Sequence, residues 1–233
     1  GKERKKYNKG KGKFIMEKTE RKVTNKAAKR RLNIILGANK VFCKTGIKAA
    51  TVDDICEEIG CSHGLFYHYY TDKNELVEYL RTVQNKTIAD RALAALASSN
   101  NPIMKIKNLL LDIENTIKED PTTAYKLYFF LTCASENGIG ALTDPTKNKT
   151  PEIKVIKEVK STVKAIEKAG YVKDNFPKKD YINTIISAVA GNVLSFVIAS
   201  NALSPHLASL NVDLLMSMFI KEDALQDAEK ESN

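Results

Sequence analysis

Cys56, Cys61, His63 and His68 put two thiols and two imidazoles within thirteen residues, the residue types that hold a transition metal. The spacing argues against a metal. Structural zinc sites separate their Cys and His pairs enough to fold around one ion, whereas here Cys61 is expected to face a core and His63 to face outward. Catalysis is no better supplied. The chain has no phosphate-cradling Gly loop, no His-Glu-x-x-His, and only three histidines, His63, His68 and His206. No enzyme activity, no cofactor and no metal is expected. Ser62, His63, Gly64 and Leu65 suit a different chemistry: a hydroxyl, an imidazole, a bare backbone and an apolar tip can read the edges of bases in a DNA major groove.

Such a reading requires short, firmly held helices, and the flanking residues supply their punctuation. Thr51-Val-Asp-Asp54 has the form of a capping box, with the Thr oxygen taking a free amide and Asp54 sitting in the positive first turn. A helix of about two turns follows, with Ile55 and Ile59 on its inner face, and Gly60 ends it in the left-handed conformation. Ser62 caps a second short helix, from His63 to about Tyr69. Cys56 is small where the two helices cross, and Ile55, Ile59, Cys61 and Phe66 face inward. This is the pattern of a helix-turn-helix unit. A preceding helix is expected from a cap at Thr24 or Asn25 to Thr45, with Ala28, Leu32, Ile35, Leu36 and Phe42 at helical spacing and Gly46 as its stop.

The run Ala50-Thr-Val-Asp-Asp-Ile-Cys-Glu-Glu-Ile-Gly-Cys-Ser-His-Gly-Leu-Phe-Tyr-His-Tyr-Tyr-Thr-Asp-Lys-Asn-Glu-Leu76 resembles the DNA-binding signature of the tetracycline-repressor (TetR) family. The resemblance covers roughly Ala27 to Leu80. It departs mildly at Cys56, where Ala is usual, at Cys61, where Val is usual, and at Tyr70, where Phe is usual. It implies phosphate contacts from Thr51, Tyr67, His68, Tyr69 and Lys73, with packing as the alternative for the two tyrosines and a solvated surface position for the lysine. It also implies a transcription regulator, a ligand-responsive repressor that binds a palindromic operator in double-stranded DNA as a homodimer. Control by a protein partner or nucleoid contact, without a small molecule, is the competing reading.

Charge agrees with a polyanionic partner. Residues 1–31 carry fourteen Lys or Arg against Glu3, Glu17 and Glu20, so this block exceeds the net +9 of the whole chain. Gly/Lys-rich text such as Lys9-Gly10-Lys11-Gly12-Lys13 holds little apolar surface, so residues 1–23 are expected to be a basic, disordered extension. Residues 24–72 then form the DNA-binding domain and 73–233 a helical effector-binding and dimerisation domain. Six prolines, eleven glycines and 43% hydrophobic residues favour an all-α fold with about nine helices. The four cysteines lack a Cys-x-x-Cys pair and no secretory leader is evident, so a cytoplasmic protein with reduced thiols is expected.

Beyond Leu76, apolar periodicity and breaks at proline and glycine predict helices over 73–97, 102–118, 121–136, 151–169, 178–203 and 207–222. The first of these starts its apolar face with Leu76, Leu80 and Val83. Tyr181–Leu203 is uncharged over 23 residues, but repeated Asn, Ser and Thr argue for burial in protein, not a membrane. Ser187, Gly191, Ser195 and Ala199 recur every four residues and open a narrow face for close helix approach. Together with the family's habit of pairing its last two long helices, this locates the expected dimer interface, with an intrachain core as the alternative. Tyr125, Tyr128, Phe129 and Cys133, with Phe130, concentrate aromatic surface and are the candidates for an effector pocket, against ordinary core packing.

Overall fold

The computed structural model describes residues 9–136, 150–175 and 211–232 and the single positions 187, 191 and 194–196, with the backbone alone at 9–24, 134–136 and 232. The protein is all-α, and ten α-helices lie among the described residues. They are α1 (Lys9–Thr45), α2 (Val52–Ile59), α3 (His63–Tyr69), α4 (Lys73–Tyr79), α5 (Asn85–Ala97), α6 (Pro102–Glu119), α7 (Thr123–Glu136), α8 (Pro151–Lys168), α9 (Val212–Phe219) and α10 (Glu222–Ser232). Two compact units divide between Lys73 and Asn74.

In the N-terminal unit α1 packs on α2, and α2 on α3. α1 starts at Lys9, well before the expected cap at Thr24 or Asn25. No proline interrupts this stretch, and Lys, Arg, Glu and Ala are strong enough helix formers to carry the helix through Thr24 and Asn25. Its buried face is Ile34, Ile35, Ala38, Val41 and Phe42, whereas Leu32, expected inside, is 57% exposed. Gly37 has a packing reason invisible in the sequence: a Cβ there would meet Ile59 Cγ2 at 2.4 Å, so the backbone of α1 lies directly on α2.

The C-terminal unit is built from longer helices around two sets of contacts, α5 with α8 and α6 with both. Ala89, Phe130 and Val155 form one buried cluster, bordered by Ile88, Ala92, Leu93 and Val159. The helix expected over 73–97 is interrupted by a π turn at Leu80–Gln84, closed by the Asn85 amide on the Leu80 carbonyl. The buried positions run Leu76, Leu80, Asn85 and Ala89, so one step is five residues. The wide turn absorbs the extra residue, sends the Asn85 side-chain amide to the buried carboxylate of Glu152, and rotates Val83, expected inside, into solvent.

The helix expected over 207–222 is also different. α9 ends at Phe219, because Ile220 pairs with Val172 as an antiparallel bridge. The Lys173 amide donates to the Phe219 carbonyl at 3.0 Å and the Lys221 amide to the Tyr171 carbonyl at 2.8 Å. Those bonds take backbone groups that a continuing helix would need, and α10 begins afresh at Glu222. Among the described residues no helix is long and apolar enough to cross a membrane. The expected helix 178–203 lies almost wholly outside the described residues.

Candidate nucleic-acid interface

Local chemistry fixes the turn between α2 and α3 from both ends. Thr51 Oγ1 accepts the Asp54 amide at 3.1 Å while the Thr51 amide donates to Asp54 Oδ2 at 2.8 Å, a reciprocal capping box. The Thr51 hydroxyl also donates to Asp54 Oδ2, at 2.7 Å, and this bond first, then the one from the Thr51 amide, hold the Asp54 carboxyl below the usual aspartate range. α2 ends at Gly60, with φ +62°, a conformation that a side chain disfavours. The Cys61 amide then bonds back to the Cys56 carbonyl at 2.9 Å, which tightens the turn. Ser62 Oγ accepts the Leu65 amide at 3.3 Å and starts α3.

Aromatic packing fixes the roll of α3. Phe66 is fully buried, with Tyr67 edge-on at 5.5 Å between ring centres and Tyr70 tilted at 5.9 Å. The Arg31 guanidinium lies 5.5 Å over the Tyr70 ring, and its Nε donates to the Tyr70 hydroxyl at 3.1 Å. With that side held, the other is left open. Ser62, His63, Gly64, Tyr67 and His68 are exposed, and Leu65 is half-buried. A Cβ on Gly64 would meet only Ser62 Oγ, at 3.9 Å, so nothing inside the domain demands glycine there. His63 Nε2 stands 3.1 Å from Asp53 Oδ1, both side chains solvent-accessible.

Two of the residues expected to touch phosphate are occupied within the domain. The Lys73 ammonium donates to the carbonyls of Ile47, Lys48 and Ala50 at 2.9, 3.2 and 2.6 Å, which uses all three of its protons. The Tyr69 hydroxyl, with one proton, donates to the Ala27 carbonyl at 3.2 Å. All four bonds join segments more than twenty residues apart, so nothing local in the sequence announces them. Thr51, Tyr67 and His68 are exposed.

Cys56 and Cys61 face one another across the turn closed by the Cys61 amide. Burial first, and then the neighbouring Cys61 thiol, push the Cys56 thiol up to about 11, which keeps it protonated and a poor ligand or nucleophile at neutral pH. Cys56 is buried, and Cys61, expected to face inward, is half-exposed.

In the C-terminal unit, Phe129 and Cys133 are buried and Tyr125 and Tyr128 half-buried. A cleft of about 420 Å³ opens beside α4, α5 and α8, and of these four candidates only Cys133 borders it. Its lining includes Glu78, Arg81, Lys86, Glu152 and Lys154, so it is more charged than the aromatic pocket expected from sequence. Ser187, Gly191 and Ser195 are exposed, and a Cβ at Gly191 would meet nothing. Ala199 lies outside the described residues.

Comparison with known proteins places these features in a lineage. The sequence profile of the bacterial regulatory proteins, tetR family, matches residues 34–80, which span the capped turn and α3. The chain is 30% identical over 104 residues to the HTH-type transcriptional regulator TtgR of Pseudomonas putida, covering 44% of this chain and 50% of that protein. A probable HTH-type transcriptional regulator from the same species, ArpR, matches to the same extent, so the chain spans about half the length of these relatives. Among solved structures, the ketosteroid transcriptional regulator KstR2 of Mycobacterium tuberculosis has a TM-score of 0.57 at 16% identity, covering 83% of this chain and 96% of that one. A HlyIIR mutant protein has a TM-score of 0.54 at 18% identity, covering 84% and 99%. The structural likeness gives the helical fold, and the profile match makes residues 34–80 similar to the bacterial regulatory proteins of the tetR family.

Proposed function

We propose that this chain is a cytoplasmic transcription regulator that binds duplex DNA by sequence and represses from a palindromic operator as a homodimer. The observation that carries the reading is α3 itself: one side is locked by Phe66, Tyr70 and the Ser62 cap, and the other is exposed. Ser62, His63, Gly64 and Leu65, at its N-terminal end, read base edges. The open space over Gly64 lets a base or sugar approach the backbone. Thr51, Tyr67 and His68 contact phosphate. Tyr69 and Lys73 position these helices, their protons being already engaged.

Exposed Ser187, Gly191 and Ser195 support a close helix contact with a second copy, joined by Ala199. A small-molecule effector, bound in the C-terminal unit near Cys133, controls the affinity for DNA, with Tyr125, Tyr128 and Phe129 shaping that helix. It does so only by preferring one conformation, and operator weakens effector binding by the same factor. The test is selection of bound duplexes from a random pool with the full chain. Enrichment of a palindrome supports both sequence reading and dimeric binding, and no enrichment over the input pool refutes the proposal.

A further inference from the structure

The basic block at the start of the chain is not absorbed by the helix-turn-helix, yet from Lys9 onward it belongs to the same helix, α1, that packs on α2. α1 runs unbroken from Lys9, and between Lys9 and Arg31 it carries ten Lys or Arg against Glu17 and Glu20. Among its side chains described from Asn25 on, the buried positions begin at Ile34, and Lys26, Lys29, Arg30 and Arg31 are all exposed. Two bonds fix where this basic half leaves the domain: Tyr69 to Ala27 and Arg31 to Tyr70 lay α1 alongside the C-terminal end of α3, next to exposed Tyr67 and His68.

We infer that residues 9–31 form a helical arm that binds the phosphate backbone of duplex DNA outside the segment read by α3. The inference rests on the DNA-binding reading of α3 and extends it. From Ala27 back to Lys9 the helix rises about 27 Å, at about 1.5 Å per residue. That reach corresponds to roughly eight base pairs of flanking duplex, at about 3.4 Å per phosphate along each strand. Lysine and arginine at this density repel one another along a helix in water. A polyanion alongside removes that repulsion and releases its own condensed counterions. The contact carries no base code, so the arm adds affinity and length of footprint without altering which sequence is chosen.

The experiment compares the full chain with a variant carrying Lys11→Gln, Lys13→Gln, Lys18→Gln, Arg21→Gln and Lys22→Gln. Glutamine keeps helix propensity close to that of lysine, so α1 is retained. Binding to a selected and a scrambled duplex is measured across salt concentration, with hydroxyl-radical footprinting of the selected one. The arm predicts that the salt slope falls by about 2–4, since each lost phosphate contact removes about 0.9. It also predicts equal loss on both duplexes, a footprint shortened on its flanks, and recovery when the five positions are all lysine or all arginine. An unchanged slope and footprint, with the selected duplex still preferred, overturns the arm and leaves the reading of α3 standing. Wild-type protein that prefers no duplex overturns both. Charge-dependent binding to phosphatidylserine vesicles, with an unchanged DNA slope, assigns the arm to a lipid surface and overturns the proposal as well.

Discussion

In the N-terminal unit, helices of 8 and 7 residues are held by caps three residues long, Thr51 with Asp54 and Ser62 with Leu65. In the C-terminal unit, α5, α6 and α8, of 13 to 18 residues, are held by aliphatic faces and by polar ties between distant segments. Asn85 reaches Glu152, Lys107 reaches Asp213 and Glu229, and the Lys173 ammonium donates to the Ser217 carbonyl. Helices as short as α2 and α3 cannot survive on propensity, so their ends must be satisfied locally and precise side chains are written beside them. Longer helices tolerate many packings, and what selects one of them lies far away in sequence.

The largest effects should separate the two units. Phe66→Ala and Phe129→Ala each empty a fully buried ring position and should each cost about 3–5 kcal/mol. Hydrogen exchange during urea unfolding should show the first loosening α1–α3 and the second α5–α8. If either substitution loosened both units equally, the contrast between them would fail. Gly37→Val comes next. Its side chain collides with Ile59 Cγ2, and the overpacking should cost about 1–3 kcal/mol in denaturant midpoints. Neutral behaviour would mean that α1 and α2 have room to separate.

Thr51→Ala should cost about 0.5–2 kcal/mol, measured by thermal unfolding, through loss of the cap. It should also flatten the acid side of the stability profile. The Asp54 carboxyl titrates below the usual aspartate range in the folded chain, so its contribution is complete above that range and is lost as pH falls through the lowered value. Glu58, held down chiefly by the Lys44 ammonium, adds to the same acid loss and should be untouched by this substitution. The smallest effect belongs to Arg91→Ala. Its fork grips Asp112 at 2.8 and 3.1 Å, but half its side chain is in water, and screening should keep the cost below about 1 kcal/mol.

Sequence separation also explains what could be read from the sequence. The capping box, Gly60, Ser62 and buried Phe66 are readable because each is determined within a few residues. Gly37, Tyr69 and Lys73 were not, since their partners lie more than twenty residues off. The π turn escaped because a five-residue step needs the Asn85–Glu152 bond to justify it. The aromatic run 125–130 has the helical spacing of a core as well as the surface for a pocket; the structure buries Phe129 and Phe130.

The most direct test of the central claim, that α3 reads bases at its N-terminal end and phosphate beyond it, is the binding profile of two single variants over a library of selected duplexes. His63→Ala should change base preference at one position of each half-site. Tyr67→Phe should weaken all duplexes by a common factor, with preferences intact. Unchanged preference in His63→Ala, or altered preference in Tyr67→Phe alone, would contradict the assignment of the two ends of α3.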